Sequence, residues 1–143
     1  MFLQFLTPEQ QRGFMVLATR LTMADGDDAE EEQEALEALQ QEIGQTFDIP
    51  VGEVLGDLVV SSFDTPTART LCMLELLVLA YADEYLHEAE SLIISEIAVA
   101  FGIGQDQLND MAVWAGQALL HKRNPTPDSQ NALVEEAYAM IGD

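Results

Sequence analysis

Two short acidic stretches hold the side chains best suited to chemistry. One is Ala24-Asp25-Gly26-Asp27-Asp28-Ala29-Glu30-Glu31-Glu32, the other Ala82-Asp83-Glu84-Tyr85-Leu86-His87-Glu88-Ala89-Glu90. In each, an Ala-Asp step is followed by a glutamate seven residues after the aspartate, and the two copies lie 58 residues apart. Asp28 and Glu32, four apart, share one face of a helix. A turn returning Asp25 toward Glu32, with Glu31 beside them, gathers negative oxygens around one point. A bound cation relieves their repulsion. Hard cations such as calcium or magnesium take oxygen ligands of this kind. In the second copy the equivalent pair is Asp83 and Glu90, and His87 can add a nitrogen. Zinc is disfavoured, because His87, His121 and Cys72 are the only imidazole or thiol donors.

The same acids have a plainer reading. Asp is a favoured N-cap, and carboxylates in a first turn are stabilised by the positive end of the helix dipole. Duplication favours the cation reading, since a repeated helix start needs an acid but not the same Asp-to-Glu spacing. An EF-hand does not fit. With the loop starting at Asp25, position five is Ala29, position six is Glu30 instead of Gly, and position twelve is Leu36 instead of Glu.

The elements that must position these acids are helical. Phe14, Leu17, Ala18 and Leu21 recur at i, i+3, i+4, i+7, as do Val51, Val54, Leu55 and Leu58, then Val134, Ala137, Tyr138 and Ile141. No strand-like alternation is present. Thr7-Pro8, Thr65-Pro66 and Thr126-Pro127 are helix starts, with Thr as cap and Pro preset in the first turn. Gly44 and Gly102, again 58 apart, are stops. Helices are predicted near 8–22, 29–43, 50–61, 66–82, 88–101, 105–121 and 127–141, with Asp48 starting the third. The expected fold is all-α: a single domain over 1–143, a compact bundle of about seven helices. It would be built on pseudo-repeats near 14–44 and 72–102 around the apolar helix from Leu71, with a C-terminal helix over 127–141. Repetition at a fixed period signals copies of one helix-turn-helix unit. Glu75, alone in the apolar run, is read as a solvated edge position, the other reading being a buried acid with a raised pKa.

The chain has 143 residues, enough for one domain with a real core. With 26 acidic and 5 basic residues its net charge is −21, which repels nucleic-acid phosphates and anionic lipid and attracts cations and basic protein surfaces. The lone Cys72 permits no internal disulfide and reads as a buried structural thiol. No secretory signal or membrane-spanning run is legible, so a soluble cytoplasmic protein is expected.

The acidic motif and the apolar helix before each copy resemble the tellurite-resistance TerB-like family over roughly residues 10 to 120. Ala24-Asp25-Gly26 with Glu32 matches closely. Tyr81-Ala82-Asp83 with Glu90 matches in spacing and has Glu84 where Gly is usual. The resemblance implies an all-helical fold, similar also to the N-terminal domain of DjlA-type membrane co-chaperones. It further implies metal binding through acidic residues, a link to tellurite or other chemical stress, and action through protein partners, some near the membrane. Carried over residue by residue, the site is Asp25 and Glu32, then Asp83 and Glu90.

No catalytic residues are assigned. The chain lacks a Gly-x-Ser-x-Gly elbow, a phosphate-binding Gly-rich loop and a His-Glu-x-x-His pair. His121, with Lys122 and Arg123, suits a helix C-terminus. Trp114 reads as core. The expected function is non-enzymatic: a divalent cation held at the acidic motifs, and protein partners. The alternative is an interaction module with no metal. A less favoured third class is an enzyme with a carboxylate–metal centre.

Overall fold

In the computed structural model, the described residues are 2–23, 30–44, 47, 49–81 and 88–141, with the side chains of 30–33 and 35 outside the description. Among them the chain forms seven α-helices and no strand: α1 Pro8–Thr22, α2 Glu30–Ile43, α3 Val51–Leu55, α4 Pro66–Ala80, α5 Glu88–Phe101, α6 Gln105–Arg123 and α7 Pro127–Ile141. A 3-10 turn, Leu3–Phe5, precedes α1. No described helix is long and apolar enough to cross a membrane.

Local chemistry sets the helix ends. The Thr7 hydroxyl accepts from the Gln10 backbone N–H, while the Gln10 side chain accepts from the Thr7 N–H, a reciprocal capping box. Thr65 caps α4 by accepting from the Ala68 N–H. At the other ends Gly44 and Gly102 adopt φ values of 82° and 76°, the left-handed region that disfavours side chains. The Gly102 N–H donates to the Val99 carbonyl and the Ile103 N–H to the Ala98 carbonyl, which satisfies two terminal carbonyls of α5. The Gly44 N–H does the same for Gln40 in α2. Pro8 and Pro66, Thr22 and Ala80, Glu30 and Glu88, and Ile43 and Phe101 bound these four helices, and each pair is 58 residues apart.

Helix α4 lies deepest. Leu71 to Val78 are all buried, and α4 packs against α6, α1, α7 and α5. A helix apolar on nearly every side must be surrounded, because each exposed leucine forfeits about 1.5–3 kcal/mol of burial. Phe14, Leu17, Ala18 and Leu21 supply the buried stripe of α1, while Leu36, Leu39 and Ile43 of α2 pack partly buried on the same core. Phe63 meets Phe101 edge-on at 5.4 Å. Phe2 lies 5.7 Å from Trp114, whose indole N–H donates to the Leu133 carbonyl and ties α6 to α7.

Two expectations are corrected. The helix predicted over 50–61 is a single short turn, Val51–Leu55, capped at Pro50, and Asp48 lies outside the described residues. Gly52 and Gly56 each weaken a helix by about 1 kcal/mol, and at Gly56 the backbone turns extended. Val54 is buried, but Val51 and Leu55 are 62% and 66% exposed. Glu75 is no solvated edge: it is 6% exposed, and its Oε1 accepts from the Phe2 backbone N–H at 2.9 Å.

Candidate functional site

Of the seven candidate cation ligands, Asp25, Asp28, Asp83 and His87 lie outside the described residues. Glu31 and Glu32 fall in the first turn of α2, with side chains outside the description. Glu90 is the candidate whose side chain is described. It stands at the third position of α5, 58 residues after Glu32, and is 4% exposed. Its neighbours along the helix explain the burial. Glu90, Ile94, Ile97, Ala98 and Phe101 are the buried residues of α5 and follow i, i+4, i+7, i+8, i+11, one continuous inward face. Glu88, two residues earlier, is exposed. Of the two carboxylates of the second acidic stretch that are described, the fold therefore draws Glu90 inward and leaves Glu88 in water.

A carboxylate removed from water is costly unless it gains hydrogen bonds, an opposite charge or a metal ion. Glu90 also sits within the first turn, where the helix dipole favours negative charge by about 0.3–1 kcal/mol. Among the described residues no three His, Cys, Asp or Glu side chains converge into a group that could hold a metal ion.

The other buried acid belongs to a different environment. Glu75 lies one turn beyond Cys72 on α4. Burial pushes the Cys72 thiol well above its usual range, and the negative charge of Glu75 adds to the effect. A thiol held protonated in this way is a packing group and no nucleophile. On the far side of α1, Arg12 makes a two-pronged ion pair with Glu53 at 2.6 and 2.7 Å, strapping α3 to α1. Those hydrogen bonds hold the Glu53 carboxyl below its ordinary range. The pair borders a cleft of about 150 Å³ that also takes in Arg20, Ser61 and Ser62. It left no sequence signal, because its partners are 41 residues apart. His121, in the last turn of α6, places Nδ1 2.6 Å from the Ser129 hydroxyl, so it joins the α6–α7 connection.

A groove of about 440 Å³ opens between α6 and α7. Met111 and Trp114 form its buried floor, Val113 and Met140 its walls, and the exposed acids Asp110 and Glu136 stand one on each helix. Sequence reasoning placed Trp114 in the core but did not anticipate the groove. The available signal was Val113, an apolar residue off the buried stripe of α6 and 64% exposed.

Comparison with protein-family models, with curated proteins and with solved structures finds no match to this chain.

Proposed function

We propose that the chain is a non-enzymatic, TerB-like helical protein that holds a divalent cation, calcium or magnesium before zinc, at its duplicated acidic stretches and acts through protein partners. The observation that carries this reading is Glu90. It is a carboxylate buried on the inward face of α5, at the position where the repeated spacing puts a ligand. Glu90 already makes an interaction within the fold, and a cation shared with Asp83 and His87 adds to what holds that charge out of water. The matching bounds of α1 with α4 and of α2 with α5 support two copies of one unit in a compact bundle, so Asp25, Asp28, Glu31 and Glu32 form the companion site. The resemblance carried by the Ala24-Asp25-Gly26 step implies the link to tellurite or other chemical stress, and the cytoplasm is the compartment that fits a lone buried thiol.

A second reading rests on the place of Glu90 in the first turn, where an acid serves as cap and dipole partner with no ion. Calorimetric titration with calcium, magnesium, manganese and zinc separates the two. The first predicts saturable binding that Asp25→Asn/Glu32→Gln and Asp83→Asn/Glu90→Gln each reduce while circular dichroism stays helical. Cation heats identical in both variants and in the parent would establish the second.

A further inference from the structure

The geometry points to the α6–α7 groove as a docking site for a basic amphipathic helix: a partner segment that seats bulky apolar side chains between the two helices and flanks them with lysine or arginine. The inference rests on the reading above only in taking the chain to act through partners; it does not require a bound cation.

Three observations carry it. First, the floor is already organised. The Trp114 ring is held by its hydrogen bond to the Leu133 carbonyl at 2.9 Å and by the Phe2 ring beside it, so seating a ligand side chain does not require freezing the indole. Tryptophan is enriched among binding hot spots, and methionine adapts to the shape of what it receives. Second, the groove runs between two adjacent helices, the shape into which an amphipathic helix lays its apolar face. Val113, exposed on the α6 wall, extends the apolar surface to the opening.

Third, charge selects the occupant. Asp110 on α6 and Glu136 on α7 flank the opening, and none of the chain's five lysines and arginines lines it. A net charge of −21 disfavours anionic lipid, nucleic acid and a second copy of this chain. A lysine or arginine can lay its methylene stem along Val113 or Met140 and place its cation beside a rim carboxylate. Rim charges of this kind steer association and choose partners more than they add affinity.

The single tryptophan, Trp114, lies in the groove and reports on it directly. Three tryptophan-free peptides serve as probes: an amphipathic helix with Lys flanks, the same apolar face with Glu flanks, and the Lys peptide with its apolar residues scrambled. Titrations run in chelator, so that cation occupancy plays no part. The Lys-flanked peptide is expected to change Trp114 emission saturably, with affinity falling as salt rises. The Glu-flanked and scrambled peptides should bind about tenfold more weakly or not at all. Asp110→Lys/Glu136→Lys should exchange these preferences, weakening the Lys peptide and admitting the Glu peptide. Both positions are exposed on helices, and each single reversal should give part of the effect. No saturable response to the Lys peptide, equal binding of the Lys and Glu peptides, or binding that ignores the reversal overturns the proposal. Loss of peptide binding with cation binding intact defeats this inference alone. Loss of cation binding with peptide binding intact defeats only the cation reading.

Discussion

Glu90→Gln is the substitution on which the two readings of the acidic stretches differ most sharply. Gln keeps the shape and an acceptor oxygen but removes the charge. A cation site held at a hundred times its dissociation constant adds about 2.7 kcal/mol of stability. For a chain of 143 residues the entropy of unfolding is about 0.3 kcal/mol per kelvin, so that gain is worth about 9 °C of melting temperature. If Glu90 is a ligand, the parent melts about 9 °C higher per filled site in calcium or magnesium than in chelator. Glu90→Gln then loses the second site's share and keeps the first's, and Glu32→Gln does the converse. If Glu90 is only a first-turn acid, the substitution costs the dipole contribution of about 0.3–1 kcal/mol, roughly 1–3 °C, together with the interaction its side chain already makes, and the loss is the same with and without cation. Differential scanning calorimetry in chelator and in excess cation reads both numbers. A melting point that falls equally in the two conditions refutes the assignment of Glu90 to a cation, however deeply the side chain is buried.

Gly44→Ala and Gly102→Ala should each lower stability by about 1 kcal/mol, roughly 3 °C, through the left-handed backbone alone; among the described residues, chain neighbours aside, no atom lies within 4 Å of an added Cβ at either position. Thermal melts should show similar losses, and a neutral Gly102→Ala would mean the cap relaxes. Glu75→Leu leaves the buried Phe2 N–H without its acceptor, at a cost of about 1–3 kcal/mol. Amide exchange at Phe2 and Leu3 should accelerate, whereas Glu75→Gln keeps the acceptor and should hold protection near the parent's. Arg12→Ala should raise the Glu53 pKa toward its ordinary value of 4.5. The folded value is depressed, so the pair's contribution is present above that ordinary value and is lost as pH falls through the folded value. A carboxyl titration followed by NMR checks the direction, and an unchanged Glu53 would show that the ion pair does not persist in solution.

The helix ends were legible because their signals are local. Thr7, Thr65 and Thr126 followed by proline, and Gly44 and Gly102 after bulky apolar residues, announce starts and stops within a few residues; α1, α4 and α7 begin, and α2 and α5 end, where those signals put them. The inward face of α5 was not drawn from the sequence, although its signal is equally local, since Glu90 shares its period with Ile94 and Ile97. What failed was long-range. The Val51, Val54, Leu55, Leu58 stripe has helical spacing, yet only Val54 is fully buried, because Gly52 and Gly56 stop the helix before the stripe can matter. The Arg12–Glu53 strap joins residues 41 apart, and the acceptor role of Glu75 needs a donor 73 residues away. Spacing along a chain carries no trace of either. For the candidate site, sequence spacing selected the residues, but whether Asp25, Asp28, Asp83 and His87 converge is a matter of geometry outside the described residues.

On the two-copy reading, the divergence between copies bears on function. Leu17 and Glu75 occupy the same register position, 58 residues apart, and both are buried. In α1 that position carries a leucine in the core. In α4 it carries an acid that receives the backbone N–H of Phe2, from the turn that leads into α1. A hydrophobic core would have accepted leucine in both. The acid is of use where an arriving segment brings a backbone donor, and its hydrogen bond holds Phe2 where it packs on Trp114. After the second glycine cap the chain also departs from its first half: where α3 is five residues, α6 is nineteen and is followed by α7. The parts that do not repeat, Glu75 with its seated Phe2 and the long α6 paired with α7, meet at Trp114. If the frame is a duplication constrained by its own core, this is the region free to specialise, and it is where the apolar groove with acidic rims is found.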